Sequence, residues 1–388
     1  MTFDPLAWLP EALQQLERDN LRRQPAIRGS AQGPKIVMDA GERINFGSND
    51  YLGLSADPRL ATAVAQSLKR FGWGSGASPL ITGRSAPQAE LERHLAALKQ
   101  TEAALVFPSG FAANAGTLGC LAGPDDVILS DAKNHASLID GCRLSRATVR
   151  VYRHLDVTDL RAQLTDCSSY RRRLIVTDSL FSMDGDMAPL PTLVELAEQH
   201  EALLVVDEAH ATGVFGTRGS GLCEMMRIES LVPVRIGTLS KAIGSIGGFV
   251  AGSKLLIDWL FNRARSYVFS TALPAACHAA SLTALKIIRD EPQRRALLLE
   301  TQRRLREELS GQGWQIVPGD SQIIPVRIGE PAATMRLAQM LSERGLLVPG
   351  IRPPTVPAGE SLLRISLCAT HSQQQIERLV AAMKDARK

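Results

Sequence analysis

The stretch Leu203-Leu-Val-Val-Asp-Glu-Ala-His210 sets four apolar residues directly against a carboxylate and a histidine. An apolar run with no polar alternation reads as a strand buried on both faces. Six further strand-like runs occur at residues 104–107, 127–129, 149–152, 174–177, 234–238 and 249–251. Helical patterns lie between most of them. Strands alternating with helices predict an α/β domain with a largely parallel sheet. In such sheets, functional groups collect past the carboxyl ends of the strands. The residues that follow each run therefore carry the functional argument.

The chain has 388 residues, more than one ordinary core accommodates, so at least two domains are expected. With 45% hydrophobic and 22% charged residues, the composition is that of a soluble globular protein. A formal charge of +4 makes no case for nucleic acid but suits an anionic substrate. Six scattered cysteines without a C-x-x-C pair argue against a metal site or a disulfide framework. They fit a reducing, cytoplasmic setting. The first residues, MTFDPLAWLPEALQQLERDN, lack a basic segment followed by an apolar one, so no signal peptide is expected. Residues 103–124 carry no charge, yet Pro108, Ser109, Gly110 and Asn114 interrupt them. That mixture predicts a strand, a turn and a helix rather than a membrane span.

Outside the alternation, Leu6, Leu9, Leu13 and Leu16 have helical spacing, and this helix is expected to end near Arg22-Arg23. A short strand is expected over 43–46. Asp57-Pro58 starts a helix that Gly72 stops. The Gly-rich loop 72–79 does not lead from a strand into a helix, which rejects a dinucleotide site. Ser85-Ala-Pro-Gln88 has the spacing of a capping box. After Leu273 the pattern changes to long helices over 274–289 and 293–310, short strands near 323–326 and 362–367, and a last helix. The expected organisation is an N-terminal helix and arm (1–44), a large α/β domain (45–273) and a small α+β domain (274–388).

Past the run 104–107 comes Pro108-Ser-Gly-Phe-Ala-Ala-Asn114, which opens a helix. A helix N-terminus with free N–H groups is a ready anion site, though an ordinary strand–helix turn reads the same way. Past 127–129 lies His135, and a lone histidine is more often structural. Past 174–177 lies Ser182. Past 203–206 come Asp207 and His210. The string Asp-Glu-Ala-His also suggests a nucleic-acid helicase. That reading fails because the chain contains no G-x-x-x-x-G-K-[ST] and no Gly-Lys dipeptide. Past 234–238 comes Leu239-Ser-Lys241. A lysine between two buried strands loses its charge more easily and attacks carbonyls, although a surface lysine on a Gly-rich turn fits the same letters. An anion nest, a flat ring, a carboxylate with a histidine and a reactive lysine are together what pyridoxal phosphate requires.

The chain resembles the α-oxoamine synthases, a fold-type I group of pyridoxal-phosphate enzymes. The resemblance rests on Phe46-Gly-Ser-Asn-Asp-Tyr-Leu-Gly-Leu54, Ser109-Gly-Phe-Ala-Ala-Asn114, Asn134-His-Ala-Ser-Leu138, Phe181-Ser-Met-Asp-Gly-Asp186, Val206-Asp-Glu-Ala-His-Ala-Thr-Gly213 and Thr238-Leu-Ser-Lys241. It implies a large domain with a mostly parallel seven-stranded sheet and a smaller α+β C-terminal domain. It also implies that Lys241 is the Schiff-base lysine and proton shuttle. Asp207 matches the partner of the pyridine nitrogen, His210 that of the phenolic oxygen, and His135 the stacking ring. Ser182 matches a further cofactor contact, and Gly110, Phe111 and Thr238 match phosphate contacts. Ser270 and Thr271 match a pair that reaches the phosphate from a second subunit, which implies a homodimer. Arg22, Asn49, His135, Thr355 and Arg364 match substrate positions, with Arg22 favoured over Arg23 and Arg364 for the amino-acid carboxylate. Ser240 departs from the glycine expected before the lysine.

The stretch Ile351-Arg-Pro-Pro-Thr-Val-Pro-Ala-Gly359 resembles the branch that condenses L-alanine with a pimeloyl thioester, on coenzyme A or an acyl carrier protein. The implied product is 8-amino-7-oxononanoate, on the way to biotin. Sister activities would use glycine or serine with other acyl donors. A non-catalytic relative would carry an extra module or a damaged site, and neither is seen. Arg171-Arg172-Arg173 reads as a solvated charge run rather than a carrier-protein site.

Overall fold

The computed structural model describes residues 4–387, leaving out positions 24 and 40. All seven expected runs form strands of one sheet: β1 (Ala103–Phe107), β2 (Val127–Asp131), β3 (Thr148–Tyr152), β4 (Arg173–Asp178), β5 (Ala202–Asp207), β6 (Val234–Thr238) and β7 (Gly248–Gly252). Their order is β1-β7-β6-β5-β4-β2-β3. Neighbours pair in parallel except β7, which runs antiparallel to both β1 and β6. The short connection from β6 to β7 explains the exception. A parallel return needs a crossover of a dozen residues or more, whereas an antiparallel one needs only a turn. That turn carries Lys241.

The sheet is covered on both sides, and alternate residues enter two separate cores. Val127, Leu129, Ile175, Leu204 and Val206 pack into one, and Ile128, Leu174, Val176 and Val205 into the other. This double burial is why the strands read as continuous apolar runs. The uncharged segment after position 103 becomes β1, a turn and the helix Gly110–Leu121. Among the described residues, no helix is long and apolar enough to cross a membrane.

The N-terminal helix is Leu9–Arg18, shorter than the leucine spacing predicts, and it buries none of its residues. Strands Lys35–Met38 and Gly41–Asn45 form a hairpin, to which Leu346–Leu347 adds in parallel. Strands Ile323–Gly329, Gly350–Ile351 and Ser361–Ser366 make a second small antiparallel sheet. Asp57 caps Pro58–Phe71 by accepting from Arg59 N at 3.0 Å, and Gly72 ends that helix with φ +70°. The expected capping box at Ser85 forms by half. Ser85 Oγ accepts from Gln88 N, but the Gln88 amide turns to Glu92 at 3.2 Å. Arg171 and Arg172 are not a free charge run, since both chelate the buried Asp126 carboxylate.

Gly244 closes the β6–β7 turn, donating to Lys241 O at 2.8 Å with φ +69°. A Cβ there would lie 2.6 Å from Ser55 N and 2.7 Å from Leu54 C, both backbone atoms. Gly244→Ala is expected to cost about 1–3 kcal/mol in urea denaturation. A loss below about 0.5 kcal/mol would mean that the turn relaxes freely.

Candidate active site

Five strand ends open on the same edge of the sheet, and their polar residues meet there. Asp207 closes β5. One carboxylate oxygen accepts from Ala209 N at 2.8 Å and the other from Asn114 Nδ2 at 2.7 Å. Asn114 comes from the first turns of Gly110–Leu121, and its amide also reaches Ser137 Oγ at 2.8 Å. Ser137 in turn bonds His135 Nδ1 at 2.7 Å, and His135 N-caps the helix Ala136–Ser145. Asp207 and His135 are thus joined through two residues that sequence reading left without a role. Asn114 could have been flagged by its place within a turn of the anion nest. Ser137 gave no separate signal.

His210 is buried between Lys241 and Tyr51. Its Nε2 lies 3.0 Å from Lys241 Nζ and its Nδ1 2.6 Å from Tyr51 OH. Burial, with the positive charges of Lys241 and Arg364, holds His210 well below the ordinary histidine range. Burial also lowers Lys241 to about 8, against the opposing pull of Asp207 and Asp178. Asp178, at the end of β4, is a second buried carboxylate unremarked in the sequence. Its Oδ2 accepts from His135 N at 2.7 Å, and burial together with Asp207 raises it well above the usual range.

At the head of the helix, Ser109 Oγ accepts from Ala112 N at 3.0 Å. The N–H groups of Gly110 and Phe111 have no helical carbonyl to bond. Gly110 abuts Thr238: a Cβ at Gly110 would lie 3.3 Å from Thr238 Oγ1. Thr238 Oγ1 also bonds Ser240 Oγ at 2.8 Å. The unexpected serine therefore joins the anion nest rather than disturbing it.

From the small sheet comes Arg364, 5% exposed. Its guanidinium donates to Asn49 Oδ1 at 3.2 Å from both terminal nitrogens, to Ser366 Oγ at 2.7 Å and to Ser182 O at 2.5 Å. Among the described residues no carboxylate pairs with it. A buried cation held only by neutral oxygens awaits an anion.

Beside it runs a cleft of about 710 Å³, lined by His135, Ile139, Ser182, Asp184, Pro353 and Thr355, among others. The structure does not bring Arg22 to this cleft. The Arg22 side chain pairs with Glu17 at 2.7 Å, and Arg23 reaches Thr355 Oγ1 at 3.1 Å instead. Of the two adjacent side chains, it is that of Arg23 that meets a residue of the cleft. Ser270 is half-buried, Thr271 is exposed, and neither lines the cleft.

The donor set fits a phosphorylated aldehyde with a basic ring nitrogen. It offers an amine that loses its proton readily, a buried carboxylate without a cation bonded to it, and an N-terminal nest beside two hydroxyls. Residues 42–383 match the aminotransferase class I and II family. The chain belongs to that family. It is 47% identical over 383 residues to an 8-amino-7-oxononanoate synthase of Anaeromyxobacter dehalogenans, covering 99% of this chain and 96% of that one. A solved Sphingomonas wittichii serine palmitoyltransferase superposes with TM-score 0.94 at 34% identity, over 99% and 98% of the two chains. A second structure of that enzyme type, carrying pyridoxal phosphate, gives TM-score 0.94 at 31% identity over 99% and 98%. This family member is a pyridoxal-phosphate-dependent enzyme with the fold-type I architecture.

Capture of the aldehyde needs the neutral Lys241 amine. An amine with pKa lowered to about 8 gains its neutral form as pH rises to that value. In the cofactor-free protein, the rate of pyridoxal-phosphate uptake, followed by absorbance after rapid mixing, should pass its midpoint near pH 8 and level off above about pH 9. A rate still climbing steeply at about pH 10 would show an ordinary lysine.

Proposed function

We propose that this enzyme is an acyltransferase that condenses L-alanine with a pimeloyl thioester, giving 8-amino-7-oxononanoate, carbon dioxide and the free thiol carrier. The carrier is coenzyme A or an acyl carrier protein. The observation that carries this reading is the buried, anion-seeking Arg364 set beside Lys241 and the cleft. The near full-length likeness to an 8-amino-7-oxononanoate synthase supports the choice of substrates.

Pyridoxal phosphate, when bound, supplies an electron sink for a carbanion at the amino-acid Cα. Lys241 would carry the cofactor, and Asp207 would keep its ring nitrogen protonated. His210 would contact the ring oxygen, Ser182 would make a further contact to the cofactor, and His135 would stack on the ring. Gly110, Phe111 and Thr238 would hold the phosphate. Arg364 and Asn49 receive the alanine carboxylate. The Lys241 amine, neutral through desolvation, takes the Cα proton. Condensation would form the bond from Cα to the acyl carbon as the thioester C–S bond breaks and the thiolate leaves. The resulting β-keto acid loses carbon dioxide, and Lys241 returns a proton to the same carbon. Thr355, with Arg23, would lie along the acyl chain's path.

The working unit in this reading is a homodimer in which Ser270 and Thr271 reach the partner's phosphate. Phe269, Trp73 and Ile81 support it, being 72%, 69% and 77% exposed. They lie on segments stitched together by Ser78 Oγ to Val268 O at 2.8 Å and Ala272 N to Ala77 O at 3.0 Å. An exposed apolar patch of this kind marks an association surface.

The likeness to a serine palmitoyltransferase favours a second reading, serine with a long acyl chain. Thiol release with alanine, glycine or serine against pimeloyl, acetyl, succinyl and palmitoyl thioesters separates the two. Release is expected with alanine and the pimeloyl donor, and preference for serine with palmitoyl would overturn the proposal. Lys241→Ala should fold, bind the cofactor and retain less than about a thousandth of wild-type turnover. Arg364→Met should raise the KM for alanine about a hundredfold.

A further inference from the structure

His154 follows β3 and stands apart from the groups around Lys241. Its Nδ1 lies 2.8 Å from Asp131 Oδ1 and its Nε2 3.0 Å from Asp186 Oδ2. Carboxylate oxygens only accept, so both ring nitrogens donate, and a ring that donates twice is an imidazolium. The ring stands edge-on to Phe181, with centroids 4.5 Å apart.

The two carboxylates belong to different strand-end loops. Asp131 closes β2, accepts from Lys133 N at 2.8 Å and from Leu155 N at 3.0 Å, and so shapes the turn that leads to His135. Asp186 belongs to the loop 179–187, which is closed by Phe181 N to Asp186 O at 3.0 Å. That loop carries Ser182, whose carbonyl holds Arg364. The charged groups packed around the ring are Asp131, Asp184 and Asp186, with Lys133 on Asp184 at 3.0 Å and on Glu360 at 3.7 Å. His154 and Lys133 supply the cations within this acidic cluster.

We propose that His154 is a positioning residue: its imidazolium ties the loop bearing Ser182 to the turn bearing His135 and keeps these two walls of the cleft in register. Burial disfavours the charged ring, but the hydrogen bonds to Asp131 and Asp186 outweigh it and push His154 up to about 9. A raised folded-state value makes the contribution to stability complete below the ordinary 6.5 and lost as pH rises through about 9.

The consequence for catalysis rests on the proposed condensation, but the clamp itself is tested without turnover. In the cofactor-loaded enzyme with isotope-labelled histidine, the His154 signal, identified by its loss in His154→Gln, should report a doubly protonated ring that titrates near 9. Hydrogen exchange of residues 179–187, corrected for intrinsic rate, should rise between about pH 7.5 and about pH 10. A ring that is neutral at about pH 7.5, or exchange that does not change, overturns the clamp. For catalysis, His154→Gln should raise the KM values about tenfold with kcat within about threefold, and His154→Arg, with charge and two donors, should restore most of it. Normal KM values in His154→Gln overturn the positioning role. An enzyme inactive with alanine and pimeloyl thioester would sink the proposed reaction and leave the titration and exchange results to decide the clamp.

Discussion

The Asp207 carboxylate is the constraint on which the rest of the site depends. It is 4% exposed and held by neutral donors, the Ala209 N–H and the Asn114 amide. A charge in that position is tolerable only if a positive group completes it. The fold answers with Lys241 on the neighbouring strand connection. Because β5 and β6 are parallel neighbours, their carboxyl ends lie side by side, and the carboxylate and the amine open on one space.

The adjacent residue shows the opposite solution. Glu208 is fully buried and receives Lys99 Nζ at 2.7 Å, with Thr212 Oγ1 and Ser220 O completing the ammonium's bonds. Its other oxygen accepts from Cys223 N at 2.9 Å. Every partner is internal, so this pair is closed to chemistry and serves to fix the turn between Asp207 and His210. Two neighbouring carboxylates thus take separate roles, decided by whether their cation belongs to the chain.

A second constraint comes from the small antiparallel sheet. Its middle strand delivers Arg364 against Asn49, which lies in the segment after the N-terminal hairpin. That hairpin is tied to the distant Leu346–Leu347 by parallel pairing. The anion-seeking guanidinium is therefore placed by three parts of the chain far apart in sequence. Small shifts of any of them would alter the distance from Arg364 to Lys241.

The central strands were legible because strands buried on both faces must be apolar throughout, the exposed edge strand Thr148–Tyr152 was legible from its Val-x-Val alternation, and polar residues immediately past the strands had to lie at one edge. Lys241, Asp207, His210 and the nest at Gly110 were found that way, and the family resemblance supplied roles that spacing does not contain. Asn114, Ser137, Tyr51 and Asp178 were missed, since each also bonds a partner at least 23 residues away that spacing does not reveal, and only Asn114, beside the nest, had a local signal. The choice between Arg22 and Arg23 was beyond the sequence for a related reason. The two arginines are neighbours of one chemical type, and only the packed structure shows which of them meets Thr355. The sequence by itself determined the strands, their order of appearance and the chemical types at their ends. The tertiary structure alone decided which of those groups touch, because hydrogen bonds and ion pairs depend on distances of about 3 Å that one-dimensional spacing does not encode.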